Sequence, residues 1–337
     1  DALIEDNSLY LGQDPSSTTS TAENNLSVGV TALDAVTTGD ANIAIGHDAL
    51  SANTTGSGNL AIGYGAYDNA DTEGNNLAIG RDALGGSING GEFNVAVGNF
   101  SLDANTSGDR NVALGYVALT QNSTGTYNVG IGGGALQLNS SGSSNTSLGN
   151  NSMYSNTSAN YNTAIGAEAL YDAARTADTD GYNTALGYNA GNTGTNDITT
   201  GNKNTLLGAS TAASAAAGTN QTVIGFGASG TADNSVTIGN SSVTAWYPGS
   251  DDTADLGSSS VEFKDLYIDG TANLDAVDID GGAIDGTAIG ANSASTGAFT
   301  TITASTSVDV TGSTGIILEN DETITNSTNG TILINGT

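Results

Sequence analysis

The sequence predicts an all-β fold, a parallel β-solenoid of about fourteen coils with a unit of about seventeen residues. Three observations predict it. A glycine following a short apolar pair returns at nearly constant spacing. Apolar and small residues alternate strictly just before it, and no stretch sustains the 3.6-residue period of a helix. The marker glycines are Gly12, Gly29, Gly46, Gly63, Gly80, Gly98, Gly115, Gly132, Gly149, Gly166, Gly187, Gly208, Gly225 and Gly239. Their successive spacings are 17, 17, 17, 17, 18, 17, 17, 17, 17, 21, 21, 17 and 14 residues.

Residues 1–24 form an N-terminal segment carrying a first, atypical coil, and residues 25–240 carry the repeats. Well-preserved copies read NIAIGHDAL (42–50), NLAIGRDAL (76–84), NVALGYVAL (111–119) and NTAIGAEAL (162–170). The positions three and one before each glycine are apolar or Thr, as in Ile43 and Ile45, with a small residue such as Ala44 between. This alternation predicts a strand. The glycine suits a positive-φ bend, and a second short strand follows at the recurring Ala-Leu pair (Ala49-Leu50, Ala83-Leu84). A polar loop such as SANTTGSG closes the coil with turn-forming side chains.

Two or three aliphatic side chains per coil do not offset the ordering entropy of seventeen residues at about 1–2 kcal/mol each. Coils must therefore stack. In-register stacking puts Ile on Ile and Ala on Ala. It also aligns the asparagine opening each strand: Asn42, Asn59, Asn76, Asn94, Asn111, Asn128, Asn145, Asn162, Asn183 and Asn204. Their amides can hydrogen-bond along the axis. The central Ala implies a second apolar contact, because a face open to water would carry polar residues. Packing three rolls as a homotrimer covers those small faces; contact between two strands of one coil is the alternative.

These copies resemble the left-handed parallel β-roll heads of trimeric autotransporter adhesins, whose repeats carry an Asn-Ser-Val-Ala-Ile-Gly type core. The nearest match is NSVTIG at 234–239. The longer unit is similar to repeats in tail fibres of marine tailed bacteriophages. The resemblance covers residues 7 to about 240 and implies an intertwined homotrimer. No heptad stalk and no anchor-like amphipathic strands occur before residue 337, which weighs against the adhesin.

After Gly239 the period breaks. Residues 241–272 read as an aromatic connector, with Trp246, Tyr247, Phe263 and Tyr267 expected to cap the open end of the roll. Residues 273–337 read as an acidic, β-rich shaft. DLGSSSVEFKDLYIDG and GTAIGANSASTGAFTTITAS (286–305) resemble short modules of phage fibres and other virion proteins. Asp275, Asp278, Asp280 and Asp285 offer oxygens of the kind calcium favours. They match no established calcium loop, so a solvated acidic face is the preferred reading and no cofactor is expected.

With 35 acidic against 5 basic residues, the formal charge of -30 argues against nucleic acid as a partner. The absence of cysteine excludes disulfides, thiolate nucleophiles and zinc–thiolate clusters. The single histidine, His47, sits at a variable repeat position and reads as a surface substitution. No run reaches the roughly eighteen apolar residues of a membrane span, and DALIEDNSLY lacks the basic start of a signal peptide. No phosphate loop or nucleophile elbow occurs. Sequons at Asn53, Asn105, Asn122, Asn139 and Asn156 recur seven residues after the marker glycine, which favours turn chemistry over glycosylation. The expectation is a non-enzymatic phage tail fibre that binds other tail proteins and a host surface glycan or protein. A bacterial surface adhesin head is the alternative, and a fibre-borne glycan depolymerase the third reading.

Overall fold

The computed structural model describes residues 2–5, 7–12, 21–87, 89–173, 180–247, 256–258, 260–265 and 267–268. The chain divides into two units, 1–254 and 255–337. The first is a β-solenoid. Among the described residues there is no helix.

Its strands are β1 (Ala2–Glu5), β2 (Ser8–Gly12), β3 (Leu26–Gly29), β4 (Ile43–Ile45), β5 (Leu60–Ile62), β6 (Leu77–Ile79), β7 (Val95–Val97), β8 (Val112–Leu114), β9 (Val129–Ile131), β10 (Thr146–Leu148), β11 (Thr163–Ile165), β12 (Thr184–Leu186), β13 (Thr205–Leu207), β14 (Thr222–Ile224) and β15 (Val236–Ile238). They form one sheet in chain order. From β2 onward every neighbour is parallel and in register: Ile43 lies beside Leu60, Ala44 beside Ala61, Ile45 beside Ile62. The 21-residue steps keep register too, Thr163 pairing with Thr184 and Thr184 with Thr205. β1 pairs antiparallel with β2, so the first coil is closed by a hairpin.

The structure corrects two expectations about the coil. The Ala-Leu element is a turn, because left-handed residues alternate through it: Asp48 (φ 59) and Leu50 (φ 53), Asp82 (φ 50) and Leu84 (φ 55). A strand requires extended φ at every residue. The turn still bonds to the next coil, Leu50 N–H donating to Ala66 O at 3.1 Å. Each coil thus contributes one three- to five-residue strand.

The second correction concerns inside and outside. The central Ala of the strand points inward: Ala44, Ala61, Ala78, Ala96, Ala113, Ala164 and Ala185 are fully buried. It packs with the turn leucines, Leu50, Leu84, Leu102, Leu119, Leu136 and Leu170, which are buried as well. Contact within the solenoid, rather than a neighbouring chain, covers the small residues. The aliphatics on either side of the Ala face outward instead.

A narrow bore explains this choice. One small and one large side chain per coil fill it beside the ladder asparagine, joined by Asn53, Asn105, Asn122, Asn139 or Asn156 where the coil has one. Where the strand centre is large, the turn shrinks: Leu206 and Val223 replace Ala, while Gly191 and Ala212 stand in for Leu. A Cβ on Gly191 would lie 3.0 Å from Leu206 Cδ1. The core conserves volume across coils.

The predicted asparagine ladder forms, each Oδ1 accepting the backbone N–H of the next member. Asn59 N–H reaches Asn42 Oδ1 at 2.9 Å and Asn111 N–H reaches Asn94 Oδ1 at 2.9 Å. The ladder runs further than the sequence indicated. Asn25 Oδ1 receives Asn42 N–H (2.8 Å), and Gln221 N–H donates to Asn204 Oδ1 (3.0 Å). Ladder Nδ2 groups meanwhile hold loop carbonyls, as Asn42 does with Gly56 O at 2.9 Å and Asn128 with Gly142 O at 2.8 Å.

The sequon asparagines form a second buried column. Asn53, Asn105, Asn122, Asn139 and Asn156 are fully buried. Asn122, Asn139 and Asn156 each donate from Nδ2 to the Oδ1 of the preceding member, at 3.1, 2.7 and 2.7 Å. In the folded roll they are loop-closing groups, inaccessible to a glycosyl donor. Seventeen residues beyond Asn53 and Asn156 the chain has Ala70 and Ala173, and those two Oδ1 atoms have no partner among the described residues.

In the second unit the described residues include a short turn in which Ser258 N–H donates to Val261 O at 2.8 Å.

Candidate interaction face

The outward sides of β2–β15 carry two parallel columns of side chains. Three residues before each marker glycine stand Leu26, Ile43, Leu60, Leu77, Val95, Val112 and Val129, then Thr from β10 to β14, then Val236. One residue before each glycine stands an aliphatic in every coil, from Leu11 and Val28 to Ile224 and Ile238. These residues are half-buried or exposed: Ile43 37%, Leu148 43%, Leu186 45%, Ile238 46%. At about 4.8 Å per strand the strip is about 60 Å long; one column is aliphatic throughout, while Thr replaces the aliphatic of the other from β10 to β14. Exposed apolar patches of a few hundred Å² and more mark interaction sites.

The backbone holds the strands of this face in register. Each marker glycine bends the chain at positive φ, and no side chain fits there: a Cβ on Gly46 (φ +137) would lie 2.2 Å from Gly63 O. The strand therefore ends at the same point in every coil, and the columns stay in register.

Two further columns border the face. On the entry side, five residues before the glycine, stand Phe93, Arg110 and Tyr127 in successive coils, then Tyr161, Tyr182 and Lys203. Arg110 lies over both neighbours, its guanidinium carbon 5.1 Å from the Phe93 ring centre and 5.6 Å from that of Tyr127. Tyr161 and Tyr182 stack at 5.1 Å and 5°. On the exit side, just after the glycine, stand His47, Tyr64 and Arg81: His47 stacks on Tyr64 at 5.3 Å, and Arg81 lies over Tyr64 at 5.7 Å. Two of the chain's few cations are spent on aromatic faces, where cation–π attraction contributes about 0.5–1 kcal/mol at exposed sites. His47 is a surface residue as expected, its Nδ1 2.6 Å from Asp48 Oδ2.

At the C-terminal end, Ile224, Ile238, Val243, Ala245 and Trp246 line an open cavity of about 470 Å³. Here the capping expectation is corrected. Trp246 and Tyr247 remain 78% and 84% exposed and bury no end of the roll. Chain after Gly239 contributes a wall of the groove instead. Phe263 and Tyr267 belong to the second unit and are exposed too.

On the turn side acidic residues crowd together. Asp68 is pushed up to about 6, first by burial and then by the charges of Asp82, Asp48 and Asp103. Asp103 is raised for the same reasons, burial and Asp82. A second acidic cavity of about 340 Å³ is lined by Glu168, Tyr171, Asp172 and Asp197 among others. Burial and Asp197 raise Asp172. Among the described residues no group of three or more His, Cys, Asp or Glu is arranged to hold a metal ion. Asp275, Asp278, Asp280 and Asp285 lie outside the described residues.

No protein-family model and no curated protein matches this chain. The sequence had pointed to the right columns but assigned them to the wrong sides of the wall. Strict alternation alone could have signalled the correct assignment: Asn42 shares its side of the strand with Ala44, and a buried amide ladder must sit inside.

Proposed function

We propose that the chain is a structural fibre protein: a rigid trimeric rod of a phage tail that presents its loops to a host-cell surface. The observation that carries this reading is the apolar face, which continues through every coil of the roll. Two further copies, related by rotation about an axis parallel to the solenoid, would cover it, and a closed ring leaves no strip of it in water. Trimerisation would triple each exposed loop, so weak contacts with a surface glycan or protein gain effective concentration. The acidic character keeps such a rod from pairing laterally. The tail assignment is supported by the fibre-like strings of the acidic segment, and the NSVTIG coil supports a bacterial surface adhesin head as the second reading.

Sedimentation equilibrium tests the assembly. The expected mass is three times 33.2 kDa, and Ile131→Lys with Ile165→Lys is expected to yield monomers. A wild-type monomer would sink the trimer. Immunogold labelling of intact phage particles tests the location: label on tail fibres supports it, and label confined to bacterial cell surfaces transfers the protein to the adhesin reading.

A further inference from the structure

From an interrupted stack of rings on the turn side we infer that the cavity between Tyr171 and Asn192 is a saccharide-binding slot, in which a neutral sugar ring stacks on Tyr171 and its hydroxyls meet the surrounding carboxylates and amides. This names a ligand class and a place for the surface attachment proposed above, and its biological role rests on that reading.

The slot arises where the rings stop. Five residues after the marker glycine, successive coils carry Tyr154, Tyr171 and Asn192. The two rings stack with centroids 5.0 Å apart and planes 3° from parallel. That separation matches the roughly 4.8 Å between neighbouring strands, so the rings lie across the solenoid axis and stack from coil to coil. Tyr154 covers one face of Tyr171. The other face looks toward the next coil, where a short amide, Asn192, stands in place of a third ring. A cavity of about 340 Å³ opens there, with Tyr171 and Asn192 both in its wall. Small-molecule pockets begin at about 300 Å³.

The loop that lengthens this coil to 21 residues builds a further wall. Asp197 Oδ1 accepts the N–H groups of Thr193 and Gly194 at 2.5 and 2.7 Å. Ile198 N–H donates to Gly191 O at 2.9 Å, and the Ile198 side chain is buried. The loop is thus tied down before a ligand arrives, which lowers the ordering cost of binding. Asn151, Glu168 and Asp172 complete the lining. Among the described residues their side chains hydrogen-bond to no neighbour, and no lysine or arginine lines the cavity.

A pyranose has apolar C–H faces and a hydroxyl rim, the pattern that an aromatic floor ringed by polar groups complements. Hydroxyls both donate and accept, so they serve carboxylate oxygens and amide N–H groups together. An ammonium group would use the carboxylates and leave the amide donors idle. A uronic acid would add a fourth negative charge beside Glu168, Asp172 and Asp197.

The intact chain is applied to an array of immobilised neutral hexose and N-acetylhexosamine oligosaccharides, uronic-acid oligosaccharides and polylysine. Binding to neutral sugars is expected, and Tyr171→Ala should weaken it about tenfold by removing the floor. Asn192→Tyr continues the ring stack into the slot. It is expected to abolish binding while melting no lower than wild type, which covers failure of Tyr171→Ala to fold. A wild-type chain that retains no neutral sugar, or is retained on polylysine alone, overturns the inference. Sugar binding that survives both variants overturns the slot and leaves surface attachment standing. Absence of the protein from phage fibres, with sugar binding still lost in Asn192→Tyr, overturns the fibre reading and keeps the slot.

Discussion

At the residue scale, adjacent glycines do different work. Gly132 has φ +128, and a Cβ there would lie 2.4 Å from Gly149 O, a backbone atom that has nowhere to go. For Gly133 the nearest atom to an added Cβ is Asn150 Nδ2 at 3.1 Å, the end of a flexible side chain. Gly132→Ala is therefore expected to cost about 2–5 kcal/mol through strain and overpacking. Gly133→Ala is expected to cost about 0.5 kcal/mol or less. Thermal unfolding of the two variants side by side checks this, and equal melting temperatures would contradict it. Composition reveals an abundance of glycine, whereas the repeat period separates the marker glycine from its neighbour. The period works because every coil presses its bend on the one below.

The strand is the next scale, and its two sides make opposite demands. Ala164 is fully buried in the bore, while Ile165 is its half-buried outward neighbour. Ala164→Leu is expected to destabilise the roll by about 1–3 kcal/mol through overpacking. Adding Met153→Ala should restore part of that loss, since the strand centre packs on the turn residue of the preceding coil, as Gly130 lies against Leu119. Ile165→Ser should leave the coil's own melting nearly unchanged at a concentration where chains are monomeric, and weaken self-association. Denaturant titration with sedimentation separates these outcomes; a stable Ala164→Leu variant would argue against the tight bore. Strand positions and register were legible in the sequence to the residue. The Ala-Leu turn was not, because a left-handed leucine leaves no mark in an apolar-polar pattern.

For the whole molecule the leading quantity is charge. Asp68 illustrates its direction: the folded carboxyl is pushed up to about 6 from an ordinary 3.8. The folded state holds this proton more tightly than the unfolded chain does. Its contribution to stability is fully present below 3.8 and is lost as pH rises through about 6. Asp103 and Asp172 shift in the same direction. The roll is expected to melt higher near pH 4 than near pH 7, and Asp68→Asn should flatten that slope. Salt should raise the pH 7 melting temperature by screening the remaining repulsion. A wild-type melting temperature that rises steadily from pH 4 to 7 would show that other groups govern.

The repeat period, the one-strand ladder positions and the amide column are consequences of local spacing, and a seventeen-residue unit with too little apolar surface per coil leaves stacking as the one way to fold. Which side of the wall faces the bore is decided in three dimensions. The bore holds a fixed volume shared between strand centre and turn, Ala with Leu in most coils and Leu206 with Gly191 in one. Once the strand centre turns inward, its two neighbours must turn outward, because successive side chains of a strand point to opposite faces.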